Sequence, residues 1–145
     1  MAEPLRSLVE QHRERIREIL PDAEVSLSGS ASVPSLPAND VDLVILVSDV
    51  REAAARLRPF YEPLYQDEWR EDWVAFRQRG AVQVDVVVTY RGSRGDAHHR
   101  LAWLLIAADS RLLAEYQELK AAADDYEQRK AAFFERVVAR LNAPH

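Results

Sequence analysis

Apolar residues along the chain switch between two periods, and the switches mark out its elements. Leu5, Leu8, Val9, Ile16, Ile19 and Leu20 recur at helical spacing with charges between them, which predicts an amphipathic helix. Pro4 falls in its first turn and Pro21 stops it, because proline lacks the N–H that a helix interior needs. Glu24 to Ser28 reads as a short strand. From Gly29 to Asn39 the chain carries one glycine, two prolines and three serines, the composition of a loop with room for one helical turn. Val41 to Val47 (Val-Asp-Leu-Val-Ile-Leu-Val) is the clearest strand. Arg51 to Leu57 forms a short helix ended by Pro59. Tyr61 to Arg70 is the least legible stretch, read as an edge strand plus loop. Trp73 to Arg77 alternates as a strand, Gly80 turns the chain, and Ala81 to Tyr90 is a second valine-rich strand. From Asp96 the pattern is helical to the end. Asp96 is placed to cap a helix running to about Ala108, and Asp109 or Ser110 the next. That helix carries Leu112, Leu113, Tyr116 and Leu119, and the last carries Tyr126, Phe133, Phe134, Val137, Val138 and Leu141. The order predicts a single α+β domain over residues 1–145. A small mixed sheet occupies residues 1–95, and a C-terminal helical segment occupies 96–145.

Composition narrows the function classes. At 145 residues, 48% apolar and 30% charged, the chain buries one real core and is not mainly disordered. Its net charge of −5 argues against general binding to a nucleic-acid backbone. The absence of cysteine excludes disulfide frameworks, cysteine zinc sites and a thiol nucleophile. The longest apolar runs, Val86 to Val88 and Leu101 to Ala108, fall far short of a membrane span. Met1-Ala2-Glu3-Pro4 carries no signal-peptide pattern, so a cytoplasmic location is expected.

The chemistry lies in three carboxylates and a Gly-Ser turn. Asp40 and Asp42 flank Val41 where a strand begins, and residues two apart on a strand share a face. Asp85 lies inside Val82-Gln83-Val84-Asp85-Val86-Val87-Val88. Unpaired carboxylates in valine-rich strands are costly and ask for a compensating cation. Mg²⁺, or Mn²⁺ in its place, suits carboxylate oxygens. If the two strands are neighbours, Asp85 completes a three-carboxylate cluster with Asp40 and Asp42. Such a cluster bridges two ions about 3.5–4 Å apart, the usual clamp for in-line nucleotidyl transfer. Gly29-Ser30 follows the first strand, where consecutive amides at a turn cradle an anion. Each feature also has a plainer reading: an ordinary turn, a capped strand end, an edge-strand charge.

Lys120 stands four residues after Tyr116, and Lys130 four after Tyr126. Both lysines therefore fall on the apolar stripes of their helices. Either their stems pack and their ammonium groups reach the rim, or both converge on the cleft as phosphate-binding point charges. His98 and His99 read as a solvated first helical turn, with rings too far apart in angle to share one ion. Arg91-Gly-Ser-Arg94-Gly reads as a basic surface loop. Trp69, Trp73 and Trp103 read as core or rim packing.

Leu-Ser-Gly-Ser, nine residues, then Asp-Val-Asp-Leu resembles the signature of the nucleotidyltransferase (DNA polymerase beta-like) superfold, with Asp85 where its third carboxylate is expected. More narrowly, Gly29-Ser30-Ala31-Ser32-Val33-Pro34-Ser35-Leu36-Pro37-Ala38 resembles the loop of the GrpB family. Glu115-Tyr116, Leu119-Lys120, Tyr126, Lys130 and Phe133 resemble that family's closing helices. The chain departs from the family at Ser35 (usually glycine), at Asn39-Asp40 (commonly Lys-Pro) and at Asp85, on a strand that often carries histidine. The resemblance implies transfer of a nucleoside monophosphate from a nucleoside triphosphate to a hydroxyl acceptor, with release of pyrophosphate. In that reading Asp40, Asp42 and Asp85 are catalytic metal ligands, Asp85 also helps deprotonate the acceptor, Gly29 and Ser30 seat the phosphates, and Lys120 and Lys130 are outer phosphate contacts. The rival is a nucleotide-binding module without turnover, a sensor or antitoxin-like partner. A third reading is a structural domain whose carboxylates are each paired with an arginine such as Arg77 or Arg91.

Overall fold

The computed structural model describes residues 1–122 and 124–142. Helix α1 (Glu3–Ile19) starts with Pro4 in its first turn and buries Leu5, Val9, His12 and Ile16 along one stripe. Strand β1 (Glu24–Ser28) leads through one 3₁₀ turn (Ser30–Ser32) to β2 (Val41–Leu46). Asp49 caps α2 (Val50–Leu57), accepting the Glu52 N–H at 3.0 Å. A short edge strand, β3 (Glu62–Leu64), precedes β4 (Trp73–Gln78) and β5 (Val84–Thr89). Helix α3 (Arg94–Asp96) runs without a break through a π-helical turn (Ala97–Leu101) into α4 (Ala102–Ala108). Helices α5 (Ser110–Ala121) and α6 (Tyr126–Leu141) follow.

The five strands form one mixed sheet in the order β1-β2-β5-β4-β3. The valine-rich β2 and β5 pair in parallel at its centre, and every other pairing is antiparallel. Alternation divides the residues of β2 and β5 between two faces. Val41, Leu43, Ile45, Val84, Val86 and Val88 join α1 and α2 in one core. Asp42, Asp85 and their same-face neighbours look the other way. A second core, built from Trp103, Ile106, Tyr116, Leu119, Phe133 and Val137, holds α4, α5 and α6 together. Val33 and Leu36 of the 29–39 loop belong to this second core, not to the first. A cleft lies where the second face of the sheet meets the helices.

Two sequence-based boundaries shift, and a third is settled. The helix after β5 begins three residues earlier than the Asp96 cap predicts. Ser93 is the cap, accepting the Asp96 N–H at 3.0 Å. Asp96 itself is fully buried and grips Arg100 through two bonds of 2.6 and 2.8 Å while accepting the Gly92 N–H. Strand β5 starts at Val84, not Ala81, because Gln78 pairs with Val84 and residues 79–83 make the hairpin loop. Of the two candidate caps for α5, Asp109 serves, accepting the N–H groups of Arg111 and Leu112. No described helix is long and apolar enough to cross a membrane.

Candidate functional site

Parallel pairing of β2 with β5 sets Asp42 directly beside Asp85. Like charges side by side on a sheet repel, and here the pair is also half-buried. Asp42 feels the consequence. Its carboxyl is raised from the ordinary 3.8 to about 6, first by burial, then by the charges of Asp85 and Asp40, while Lys130 and Arg77 pull weakly the other way. Asp40, at the end of the preceding loop, is exposed and lines the same cleft.

Asp85 has a different environment. Strand β4 runs antiparallel to β5 with Arg77 opposite Asp85. The guanidinium donates from Nε to Oδ1 at 2.7 Å and from an Nη to Oδ2 at 3.1 Å. Both side chains are about one-fifth exposed, at 18% and 23%, so water screens the pair only partly. Arg91 pairs instead with Glu24 at the surface. An arginine partner of the kind a structural role requires is thus present for one carboxylate of the three.

Gly29 closes the site from the β1 side. Its φ of +67° is a conformation that side chains disfavour. A Cβ there would sit 2.4 Å from the Asp42 Oδ2. Glycine is therefore required twice at this position, by backbone and by space. The Ser32 hydroxyl donates to the Gly29 carbonyl at 2.6 Å and fixes the turn. Ser30 lies beside the carboxylates in the cleft lining.

The cleft has a volume of about 1150 Å³. Lys120 and Lys130 both line it from the helical wall. The Lys120 ammonium stands 5.8 Å from the centre of the Tyr116 ring, and that of Lys130 5.7 Å from the Tyr126 ring. The repeated Tyr-x-x-x-Lys spacing thus becomes two cation–π pairs on the cleft wall, and the Lys130 charge is felt at Asp42. Burial, then the neighbouring Tyr126, holds the Tyr116 hydroxyl well above its usual range.

The π-helical turn alters the predicted place of the histidines. His98 and His99 are half-buried and line the cleft, where a solvated first turn was expected. The His99 ring stacks on Trp73 at 6.0 Å. Its pKa is lowered to about 4, mainly by burial and then by His98 and Lys130, so the ring is neutral at pH 7. Neither the π turn nor the stacking leaves a mark in periodicity. Only the adjacency of two histidines to the basic loop could have drawn attention to them.

Among the described residues, no three His, Asp or Glu side chains converge tightly enough to hold a metal ion by themselves. Mg²⁺ asks for less: one or two carboxylates, with waters and substrate phosphates completing the shell. Asp40 and Asp42, in the lining of one cleft, are the residues of that chemistry. They offer hard oxygens, and Asp42 carries a charge that burial and its acidic neighbours leave under-compensated.

A family model described as GrpB protein matches residues 4–140. The fold is similar to that of the GrpB protein from Enterococcus faecalis, with a TM-score of 0.74 at 16% identity, over 96% of this chain and 93% of that one. It is also similar to a cytoplasmic RNA terminal U-transferase (TM-score 0.53, 21% identity) and to the Cid1 RNA terminal uridylyl transferase (TM-score 0.56, 20% identity). Each of these alignments covers 81% of this chain but only 36% and 38% of the transferases. At such identities the likeness is one of fold, and the fold is nucleotidyltransferase-like. No curated protein matches the sequence.

Proposed function

The chain belongs to the GrpB family, and from that premise we propose that it is a metal-dependent nucleotidyltransferase. It would move a nucleoside monophosphate from a nucleoside triphosphate to a hydroxyl acceptor and release pyrophosphate. The observation that carries this reading is the pairing of Asp42 with Asp85 on one face of the sheet, opposite two lysines on the helical wall of the same cleft. A wall of carboxylates facing a wall of ammonium groups suits a triphosphate that bridges the two.

Asp40 and Asp42 would hold Mg²⁺ or Mn²⁺. Bound there, the ion would supply Lewis-acid polarisation of the α-phosphate and stabilise charge on the attacking oxygen. The protein's own part is positioning. The Gly29–Ser30 turn would seat the phosphates beside Asp42, which Gly29 can approach so closely only because it has no side chain. Lys120 and Lys130, held over tyrosine rings, would neutralise the departing pyrophosphate. Asp85 would orient the acceptor from the centre of the sheet. The nucleotidyltransferase-like fold of the structural neighbours supports the reaction class, and the name of Cid1 supports a nucleotide partner.

One observation favours the second reading, a nucleotide-binding module without turnover: Arg77 already neutralises Asp85. A single experiment separates the two. Thermal melts are recorded with each of the four ribonucleoside triphosphates, with and without Mg²⁺, beside a pyrophosphate-release assay. A ligand at about 100 times its Kd adds roughly 2.7 kcal/mol. Mg²⁺-dependent stabilisation with pyrophosphate release supports the transferase, and stabilisation alone supports the module. No stabilisation by any nucleotide would sink both.

A further inference from the structure

We infer that the site takes one divalent cation, on Asp40 and Asp42, and that Arg77 stands as a fixed cation in place of a second. The inference rests on the metal-dependent reading above and narrows it. Two ions bridged by three carboxylates need all three to be free. Here Asp85 is not free. Arg77 lies opposite it in the strand register and donates to both oxygens at 2.7 and 3.1 Å, which occupies the lone pairs a metal would need. The bidentate fork is the strongest geometry an arginine and a carboxylate can form.

The pairing leaves Asp40 and Asp42 as the two cleft carboxylates without a bidentate arginine, and these are the pair a single divalent ion would take. A second ion would have to displace a bidentate, half-buried guanidinium, leaving that charge unpaired in the cleft. Arg77 is therefore a positioning residue. It holds Asp85 in place without a metal and reserves the ion for the Asp40–Asp42 side, beneath the Gly29 turn.

Counting bound Mn²⁺ by the loss of the free-ion electron paramagnetic resonance signal, on the full chain without nucleotide, tests this directly. The parent should bind one ion. Arg77→Met frees Asp85, so this variant should bind a second ion, or bind the first about tenfold tighter because a nearby positive charge is gone. Arg77→Met leaves a half-buried carboxylate unpaired, so its melting curve is checked alongside. The double variant Arg77→Met/Asp85→Asn removes the pair as a neutral unit and remains folded where the single variant does not. It should return to one ion with an affinity within about threefold of the parent. Two ions on the parent, or loss of the only ion in the double variant, would make Asp85 a ligand and overturn the inference while leaving the metal-dependent reading intact. No Mn²⁺ on any of the three chains would overturn both.

Discussion

Asp42→Asn separates a carboxylate kept for a ligand from one kept for the fold. In the metal-free protein the Asp42 carboxyl is raised from 3.8 to about 6, chiefly by burial and then by Asp85 and Asp40. Each tenfold change in acidity is worth about 1.4 kcal/mol, so the ionised carboxylate destabilises the fold by up to about 3 kcal/mol at neutral pH. The sign follows from proton counting. Between pH 4 and 6 the unfolded chain has lost this proton and the folded chain has kept it, so stability falls as pH rises through that window. Above pH 6 the full penalty is present. Asparagine fits the same space without the charge, so the variant escapes the penalty. At pH 7 in a chelator it should melt higher than the parent, by up to about 10 °C given roughly 3–4 °C per kcal/mol at this length. At pH 3.5 the two should melt together. Added Mg²⁺ should raise the parent and leave the variant unchanged, narrowing or reversing the gap. Melts of both proteins at pH 3.5, 5 and 7, with chelator and with Mg²⁺, measure all of this. A variant that melts below the parent at pH 7 in chelator, or a gap that does not change with pH, would refute the reasoning and make Asp42 a structural residue.

Two further substitutions probe the surroundings. Gly29→Ala forces a side chain into a left-handed conformation, at about 1–2 kcal/mol, and pushes against the Asp42 Oδ2 at 2.4 Å. The protein should stay folded but lose Mg²⁺-nucleotide stabilisation, as melts with and without ligand would show. Asp96→Asn should destabilise the fold by about 3 kcal/mol or more, because the Arg100 guanidinium, whose side chain is 15% exposed, loses its partner. Although burial works to raise the Asp96 carboxyl, its bonds from Arg100 and the Gly92 N–H lower it overall. Its stabilisation is thus complete above pH 3.8 and lost on further acidification. Urea titrations at pH 7 and pH 2.5 should show the difference between parent and variant shrink at the lower pH.

Legibility in the sequence followed how far each feature depends on alternation. Val41 to Leu46 and Val84 to Thr89 carry their faces in their own residues, so the shared face of Asp42 and Asp85 follows once the strands are adjacent. The two Tyr-x-x-x-Lys pairs follow from helical spacing in the same way. The Arg77–Asp85 pair depends on register across a hairpin, and beginning β5 at Ala81 would slip that register by three residues. The π turn at Ala97–Leu101 is invisible because one extra residue in a helical turn changes hydrogen bonding without changing composition. The cap at Ser93 was hidden by Asp96, three residues on. Serine and aspartate both make good caps, and only the burial of Asp96 against Arg100 decides between them.

The two apolar cores divide the cleft along a seam. The carboxylates ride on the sheet, whose core is shared with α1 and α2. The lysines ride on the helical core, and Val33 and Leu36 moor the 29–39 loop to that same side. The lysines proposed to grip a triphosphate and the carboxylates proposed to anchor an ion therefore sit on different cores. On the proposed reading, a bound nucleoside triphosphate would act as a strut between them, and transfer of its nucleoside monophosphate with release of pyrophosphate would remove the strut. Amide exchange in α5 and α6 should accordingly slow when the strut is in place, while the amides of β2 and β5, locked in the centre of the sheet, report nothing.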